Sequence, residues 1–171
     1  MSMKNNVRII LLMSVIMLGL TACGINLKKK APDDWYESTL SYYRQEIAND
    51  WKNAGDFYVP SEYTDKNNKI GYLLRDLDGD GTDEFLVGII DGASETRFTD
   101  VYIWHPDIGP YRSFSNGDGY YIYLCDSNII RNDSWYGSET RIDYMQYNSD
   151  NNSFLNVDGG SMPRKYDLTE F

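Results

Sequence analysis

The spacing of apolar residues changes near Gly71, and this change constrains the fold more than any other feature of the chain. Before Gly71 the apolar residues recur at intervals of three and four, which is typical of one face of a helix. After Gly71, short runs of alternating apolar and polar residues predict half-buried β-strands. No helix-like stretch separates these runs, so neighbouring strands are expected to pair antiparallel. The pattern predicts one helix followed by a sheet.

The predicted helix begins near Asp34 and carries an apolar stripe. Asp34 followed by Glu37 fits a capping box, in which side chains bond the free amide groups of the first turn. Gly55 is expected to end the helix. The stripe that should face the sheet comprises Tyr36, Leu40, Tyr43, Ile47, Trp51 and Ala54.

Eight later runs fit strands, and turn-forming clusters separate them. The runs are 71–77, 84–90, 100–104, 111–114, 120–125, 128–132, 140–148 and 154–157. The 15 tyrosines and four tryptophans suit strands that have one packed face and one face toward water. The predicted fold class is α+β, mainly β: one N-terminal amphipathic helix packed on a curved antiparallel β-meander of six to eight strands.

The first 22 residues have the layout of an export signal. Lys4 and Arg8 give a positive start, no acidic residue precedes Cys23, and residues 9–20 are almost wholly apolar. A stretch of that length is too short to cross a hydrocarbon core as a helix, which takes about 20 residues. It fits the apolar region of a signal peptide. The alternative is an ordinary signal, or a short membrane anchor, with an incidental cysteine.

The stretch ends in Leu20-Thr21-Ala22-Cys23-Gly24, which resembles the lipobox of bacterial lipoproteins. The resemblance implies cleavage before Cys23 and attachment of a diacylglycerol to its thiol. The protein would then be lipid-anchored at the cell membrane, on the extracytoplasmic face. The predicted organisation is a signal peptide at 1–22, a lipidated anchor and linker at 23–31, and a single extracytoplasmic domain at 32–171.

The charge of the mature chain limits its partners. The signal contains two basic and no acidic residues, so the mature part keeps 14 of the 16 basic residues and all 26 acidic ones, a formal charge of −12. This charge argues against nucleic acid as a partner and against the protein lying flat on an anionic membrane. Lys28 to Lys30 follow the anchor and either attract anionic headgroups or form a solvated linker. Cys125 lies in an aromatic strand-like run and is expected to be a buried thiol.

Residues 76–84, with the sequence DLDGDGTDE, form an acidic loop between two predicted strands. Calcium takes six to eight oxygen ligands, and carboxylates at alternate positions of a curled loop can face one centre. Gly81 permits the sharp turn. We predict a structural calcium site; the alternative is an acidic turn held by local hydrogen bonds. The predicted ligands are the carboxylates of Asp76, Asp78 and Asp80, the carbonyl of Thr82, and the carboxylate of Glu84.

The loop differs from an EF-hand, because the twelfth loop position is Val87 rather than glutamate. Between two strands, the pattern D-x-D-x-D-G-x-x-D/E is similar to the EF-hand-like loops of integrin-type FG-GAP repeats and related bacterial domains. The similarity covers residues 72–87. The lipobox, helix, acidic hairpin and tyrosine-rich sheet together also resemble a broad group of small uncharacterised lipoproteins of Gram-positive bacteria. Neither resemblance implies an activity.

Three classes of function are compatible with the sequence. A binding module for a glycan or an envelope protein is favoured, although ordinary sheet packing also explains its candidate residues. A cell-envelope assembly lipoprotein with a protein partner is the alternative. A glycan-acting enzyme is the third class, but no catalytic constellation is visible and the single histidine, His105, lies in a predicted turn. The candidate ligand-contact aromatics are Tyr121, Tyr123, Trp135 and Tyr136.

Overall fold

The computed structural model describes residues 31–115, 120–159 and 162–171. Within them the chain forms two α-helices, α1 (Glu37–Ala48) and α2 (Ser61–Thr64), and nine strands. The strands are β1 (Lys69–Arg75), β2 (Glu84–Ile90), β3 (Arg97–His105), β4 (Gly109–Ser115), β5 (Tyr120–Leu124), β6 (Ile130–Tyr136), β7 (Glu139–Asn148), β8 (Ser153–Asn156) and β9 (Thr169–Glu170). The predicted fold class is confirmed.

The strands form one antiparallel sheet in the order β8-β7-β6-β5-β3-β2-β1-β9, with β4 paired to β3 beside this path. Two strands pair with the same edge of β3. Arg97 and Phe98 pair with β5, whereas residues 100–105 pair with β4. The terminal strands β8 and β9 do not pair with each other in the described residues, so the sheet is open and curved. The short β9 was not predicted, because a two-residue strand has no periodic signature.

Strand β2 is the centre of the fold, because both of its faces are buried. Phe85, Val87 and Ile89 join one apolar cluster with Tyr43 of α1. Leu86 joins a second cluster on the opposite face, around which the curved sheet wraps. The later strands and β3 contribute to that second cluster Phe98, Val101, Ile103, Ile122, Leu124, Ile130 and Met145.

The start of α1 differs from the prediction. The N-cap residue is Tyr36, and no side chain caps the first turn. Asp34 instead accepts a hydrogen bond through its backbone carbonyl from the amide of Glu37, at 3.0 Å. The predicted capping box is therefore wrong, because a turn over residues 33–36 precedes the helix and places Asp34 outside the cap position.

The end of α1 also differs: the helix stops at Ala48, not near Gly55. Asp50 and Trp51 adopt left-handed backbone conformations, with φ of 51° and 58°. This reversal brings the Trp51 ring onto Tyr63 of α2, with ring centroids 4.9 Å apart. The apolar stripe predicted too long a helix. Trp51 lies four positions after Ile47, as it would on a helix, but it packs against the domain after the chain has reversed direction.

A single buried carboxylate links both helices to the sheet. Asp100 of β3 has no exposed surface, and the hydroxyl of Tyr43 donates to its Oδ2 at 2.8 Å. The hydroxyl of Tyr63 donates to the same oxygen, and Arg112 Nη1 lies 3.5 Å from Oδ1. Burial raises the pKa of Asp100, while the two tyrosines and Arg112 oppose this rise. Asp100 thus connects α1, α2 and β4 in the apolar interior.

Replacing this carboxylate should be costly. We expect Asp100→Ala to lower the free energy of unfolding by about 3–5 kcal/mol, because two buried hydroxyls and a guanidinium lose their partner. Asp158→Ala, at an exposed position, is the matched control and should change it by less than about 0.5 kcal/mol. Urea midpoints measure both values. Equal midpoints for the two variants would show that Asp100 does not hold the helices.

Candidate metal centre

The acidic loop connects β1 and β2, which pair without a register shift up to the base of the loop. β1 and β2 pair from Lys69 opposite Ile90 to Arg75 opposite Glu84. The loop curls because Gly79 and Gly81 adopt φ of 82° and 85°, a region that side-chain-bearing residues rarely enter. The carboxylate of Asp76 accepts hydrogen bonds from the amides of Gly79 at 2.7 Å and Gly81 at 3.0 Å. The curl therefore folds the loop around the Asp76 carboxylate.

Three of the four predicted carboxylate ligands converge. Asp76, Asp78 and Glu84 each place one carboxylate oxygen within 4.8 Å of the others. Asp80 is exposed and its carboxylate lies outside this group, where it accepts a hydrogen bond from the Thr82 amide at 2.7 Å. All three converging groups are carboxylates, which are ligands that Ca²⁺ and Mg²⁺ prefer. This acidic cluster is suited to holding a metal ion.

Glu84 is the buried member of the cluster. It is 3% exposed, and its Oε2 accepts a hydrogen bond from the Leu77 amide at 2.8 Å. Burial, with smaller contributions from the charges of Asp78, Asp80 and Asp76, raises the pKa of Glu84 from 4.5 to about 8, while the Leu77 amide opposes the rise. A cation at the cluster would favour the ionised form, so its binding near neutral pH should displace a proton.

The loop is fastened to parts of the chain that are far away in sequence. The backbone amide of Ser149, in the β7–β8 turn, donates to Asp78 Oδ2 at 2.7 Å. The side-chain amide of Asn128, in a 3₁₀ turn after β5, donates to the carbonyl of Asp76 at 2.8 Å. Arg75 in turn donates to Asn128 Oδ1 at 3.0 Å. The contacts of Ser149 and Asn128 with the acidic loop could not be predicted from the sequence, because both residues lie in turns without any metal-binding pattern.

A cleft of about 460 Å³ opens beside the cluster. Its walls combine loop residues with residues from the chain's N-terminal segment, from β3 and from β7. They include Ala31, Asp80, Thr82, Glu84, Trp104 and Tyr147. Asp80, Thr82 and Glu84 of the loop therefore border a solvent-accessible space.

Three of the four predicted aromatic residues, Tyr121, Tyr123 and Trp135, lie on the outer face of the sheet, opposite the buried Ile122. The ring of Tyr121 contacts that of Trp135 edge to face, with centroids 5.4 Å apart. Arg97 lies over Tyr121 at 5.0 Å, and Arg131 lies over Tyr123 at 5.5 Å. Trp135 is 40% exposed. The side chain of Tyr136 lies outside the described part of the structure.

Two of the three other residues singled out in the sequence, Cys125 and His105, lie in the described part of the structure. Cys23 lies outside the described residues. Cys125 is buried, as predicted, and burial raises the pKa of its thiol. His105 ends β3, and its Nδ1 accepts a hydrogen bond from the Asp107 amide at 3.2 Å. The histidine therefore has a local role in the turn.

Comparison with known proteins identifies no relative: no protein-family model, curated protein or solved structure matches the chain. In the part of the chain that the structure describes, no helix is both long and apolar enough to cross a membrane. The function of the chain is therefore inferred from the chemistry of its own residues.

We expect the metal-free protein to become less stable as the pH rises from 4.5 to about 8. Folded Glu84 holds its proton more tightly than unfolded Glu84, so the native state binds more protons in this window and stability falls with increasing pH. Urea midpoints across the window measure the slope. Glu84→Gln, which cannot ionise, should have a smaller slope than the unchanged protein. Identical slopes would contradict the raised pKa.

Proposed function

We propose that this chain is a bacterial lipoprotein, anchored by lipid on Cys23 at the extracytoplasmic face of the cell membrane, whose domain binds Ca²⁺ structurally and acts as a binding module. The observation that carries the calcium part is the convergence of three carboxylate oxygens within 4.8 Å of one another. The anchor is supported by the charge, length and lipobox of the first 24 residues.

The arrangement of oxygens favours calcium over magnesium. Magnesium demands a near-ideal octahedron and retains several waters, whereas calcium accepts irregular shells of six to eight oxygens at about 2.3–2.6 Å. Asp76, Asp78 and Glu84 bring three carboxylates together from one curled loop, whereas magnesium is usually bound through only one or two carboxylates. The Asp80 carboxylate and the Thr82 carbonyl are close enough in sequence to join the shell through a small change in the loop, with water completing it.

The ion would stabilise more than the hairpin. Without a cation, the negative charges of the cluster repel one another and oppose the β1–β2 register that brings them together. Asp78 also accepts the Ser149 amide, so a calcium ion on Asp78 fixes the β7–β8 turn as well. This dual attachment supports a structural role for the ion, in which it ties two distant parts of one sheet together.

The outer face of the sheet is the candidate binding surface for a glycan. Its half-buried tyrosine rings and the exposed Trp135 offer apolar ring surface. Arg131 and Asp133, joined by two 2.6 Å hydrogen bonds, offer adjacent donors and acceptors. Ring surfaces beside ordered polar groups are suited to sugars, whose rings have apolar faces and hydroxyl edges.

A protein partner in envelope assembly is the alternative, and two residues favour it. Ile142 and Leu155 are each 44% exposed and lie on β7 and β8. Exposed apolar side chains that form a continuous patch mark surfaces for protein association. The two ligand classes differ in the residues they need: a glycan needs Trp135 and the arginines, whereas a protein partner needs Ile142 and Leu155.

Calcium should raise the melting temperature of the protein, with a rise of roughly 5–10 °C at a calcium concentration about a hundredfold above Kd. Asp78→Asn should remove most of this rise, because it removes one converging carboxylate charge. Asp83→Asn is the matched control: Asp83 is an exposed neighbour in the same loop, outside the converging group. It should keep the rise. Loss of the rise in both variants, or in neither, would contradict the proposed site.

Substitution of Cys23 should abolish lipid attachment. We expect Cys23→Ser to incorporate no radiolabelled palmitate in producing cells, because the thiol that would carry the membrane-anchoring acyl chains is absent. Cys125→Ser, at the buried thiol, is the control and should incorporate the label as the unchanged protein does. Labelling of Cys23→Ser would contradict lipidation at this residue.

A further inference from the structure

The geometry points to one orientation at the membrane: the end of the domain that carries the acidic loop faces the bilayer, and the β3–β4 turn around Ile108 contacts the bilayer surface. This inference rests on the proposed lipidation of Cys23. It adds a second membrane-contact element, made by the folded domain itself, to the lipid anchor.

The chain enters the domain beside the acidic loop. Ala31 is only 7% exposed and lies in the same apolar cluster as Trp35. Ala31 also lines the cleft that contains Asp80, Thr82 and Glu84. Trp35 fixes this segment further, because its indole nitrogen donates to the Asp83 carbonyl at 3.2 Å. The point at which the tether joins the domain is therefore held against the loop.

The tether between Cys23 and Ala31 is short. Residues 23–30 span at most roughly 28 Å when fully extended, and a flexible chain of this length has a mean reach of about 16 Å. A compact domain of about 140 residues is roughly 35–40 Å across. With the opposite end toward the bilayer, the entry point would stand roughly 35–40 Å away, which exceeds the span of the fully extended tether. The length of the tether by itself therefore favours the orientation in which the loop end faces the bilayer.

The β3–β4 turn lies at the same end. Antiparallel pairing places Phe85, next to the loop, opposite Tyr102, near the end of β3. Trp104 and Pro106, at and after the end of β3, line the cleft together with the loop residues. The β2–β3 turn over residues 91–96 is at the other end of both strands, by the same register.

The chemistry of this end fits a lipid surface. Ile108 exposes 65% of its surface at the tip of the turn, and Tyr111 exposes 47%. Tyrosine is enriched where proteins meet the membrane–water interface, and an isoleucine beside it gains from burial among headgroups and acyl chains. Lys28 to Lys30 precede the entry point, and each attracts anionic headgroups by about 1 kcal/mol. A calcium ion in the loop, with a charge of +2, would offset part of the acidic charge at this end.

Depth-dependent fluorescence quenching tests the orientation in the full-length, lipidated protein. Ile108→Cys and Ser94→Cys provide exposed thiols at the two ends of the domain, while Cys125 is 1% exposed and stays unlabelled. Each variant is labelled with a nitrobenzoxadiazole fluorophore. It is then reconstituted with calcium into vesicles of phosphatidylethanolamine and phosphatidylglycerol that contain headgroup-proximal spin-labelled lipid. Asp107→Cys and Ala93→Cys, also exposed, form a second pair in case one of the first variants does not fold.

We expect quenching at residue 108 to be at least twice that at residue 94. Equal quenching at both positions, or stronger quenching at residue 94, overturns the orientation. Flotation of the vesicles separates the two claims. If the variants float but are quenched equally, only the orientation fails. If they do not float, the proposed lipidation fails and the orientation fails with it.

Discussion

Three carboxylates held close together at the end of one β-hairpin are the constraint on which this account depends. The register of β1 and β2 fixes Glu84 at the base of the loop, and the curl at Gly79 and Gly81 brings Asp76 and Asp78 to it. Backbone amides stabilise part of this negative charge by donating hydrogen bonds, and a bound cation would compensate the charge directly. Stability of the hairpin, order in the β7–β8 turn and the pKa of Glu84 are therefore expected to change together when an ion binds.

A second buried acid organises the other side of the sheet. Asp100 is also deeply buried, yet two tyrosine hydroxyls donate hydrogen bonds to it and the guanidinium of Arg112 provides an opposite charge. Glu84 has one backbone amide and three acidic neighbours. The contrast explains why Asp100 acts as a structural anchor, whereas Glu84 belongs to the cluster at which we propose a cation.

Much of this fold could be predicted from the sequence, because local patterns specify it. Each of the eight strand-like runs corresponds to an observed strand, and the observed bounds of β2 are those predicted. Features that depend on distant contacts could not be predicted. The turn at Trp51 exists because its ring packs on Tyr63, and Asp100 appeared as one more acid in a strand. In the site, the three converging carboxylates follow from local spacing, whereas the contacts of Ser149 and Asn128 arise from the curvature of the whole sheet.

The central claim is that the loop holds one calcium ion that also involves the β7–β8 turn. A crystal structure of the protein grown with calcium, with anomalous scattering to identify the ion, tests it most directly. We expect one Ca²⁺ within about 2.3–2.6 Å of oxygens from Asp76, Asp78 and Glu84, with the Ser149 amide still bonded to Asp78. Water alone between these carboxylates at millimolar calcium, or an ion bound elsewhere in the domain, would contradict it.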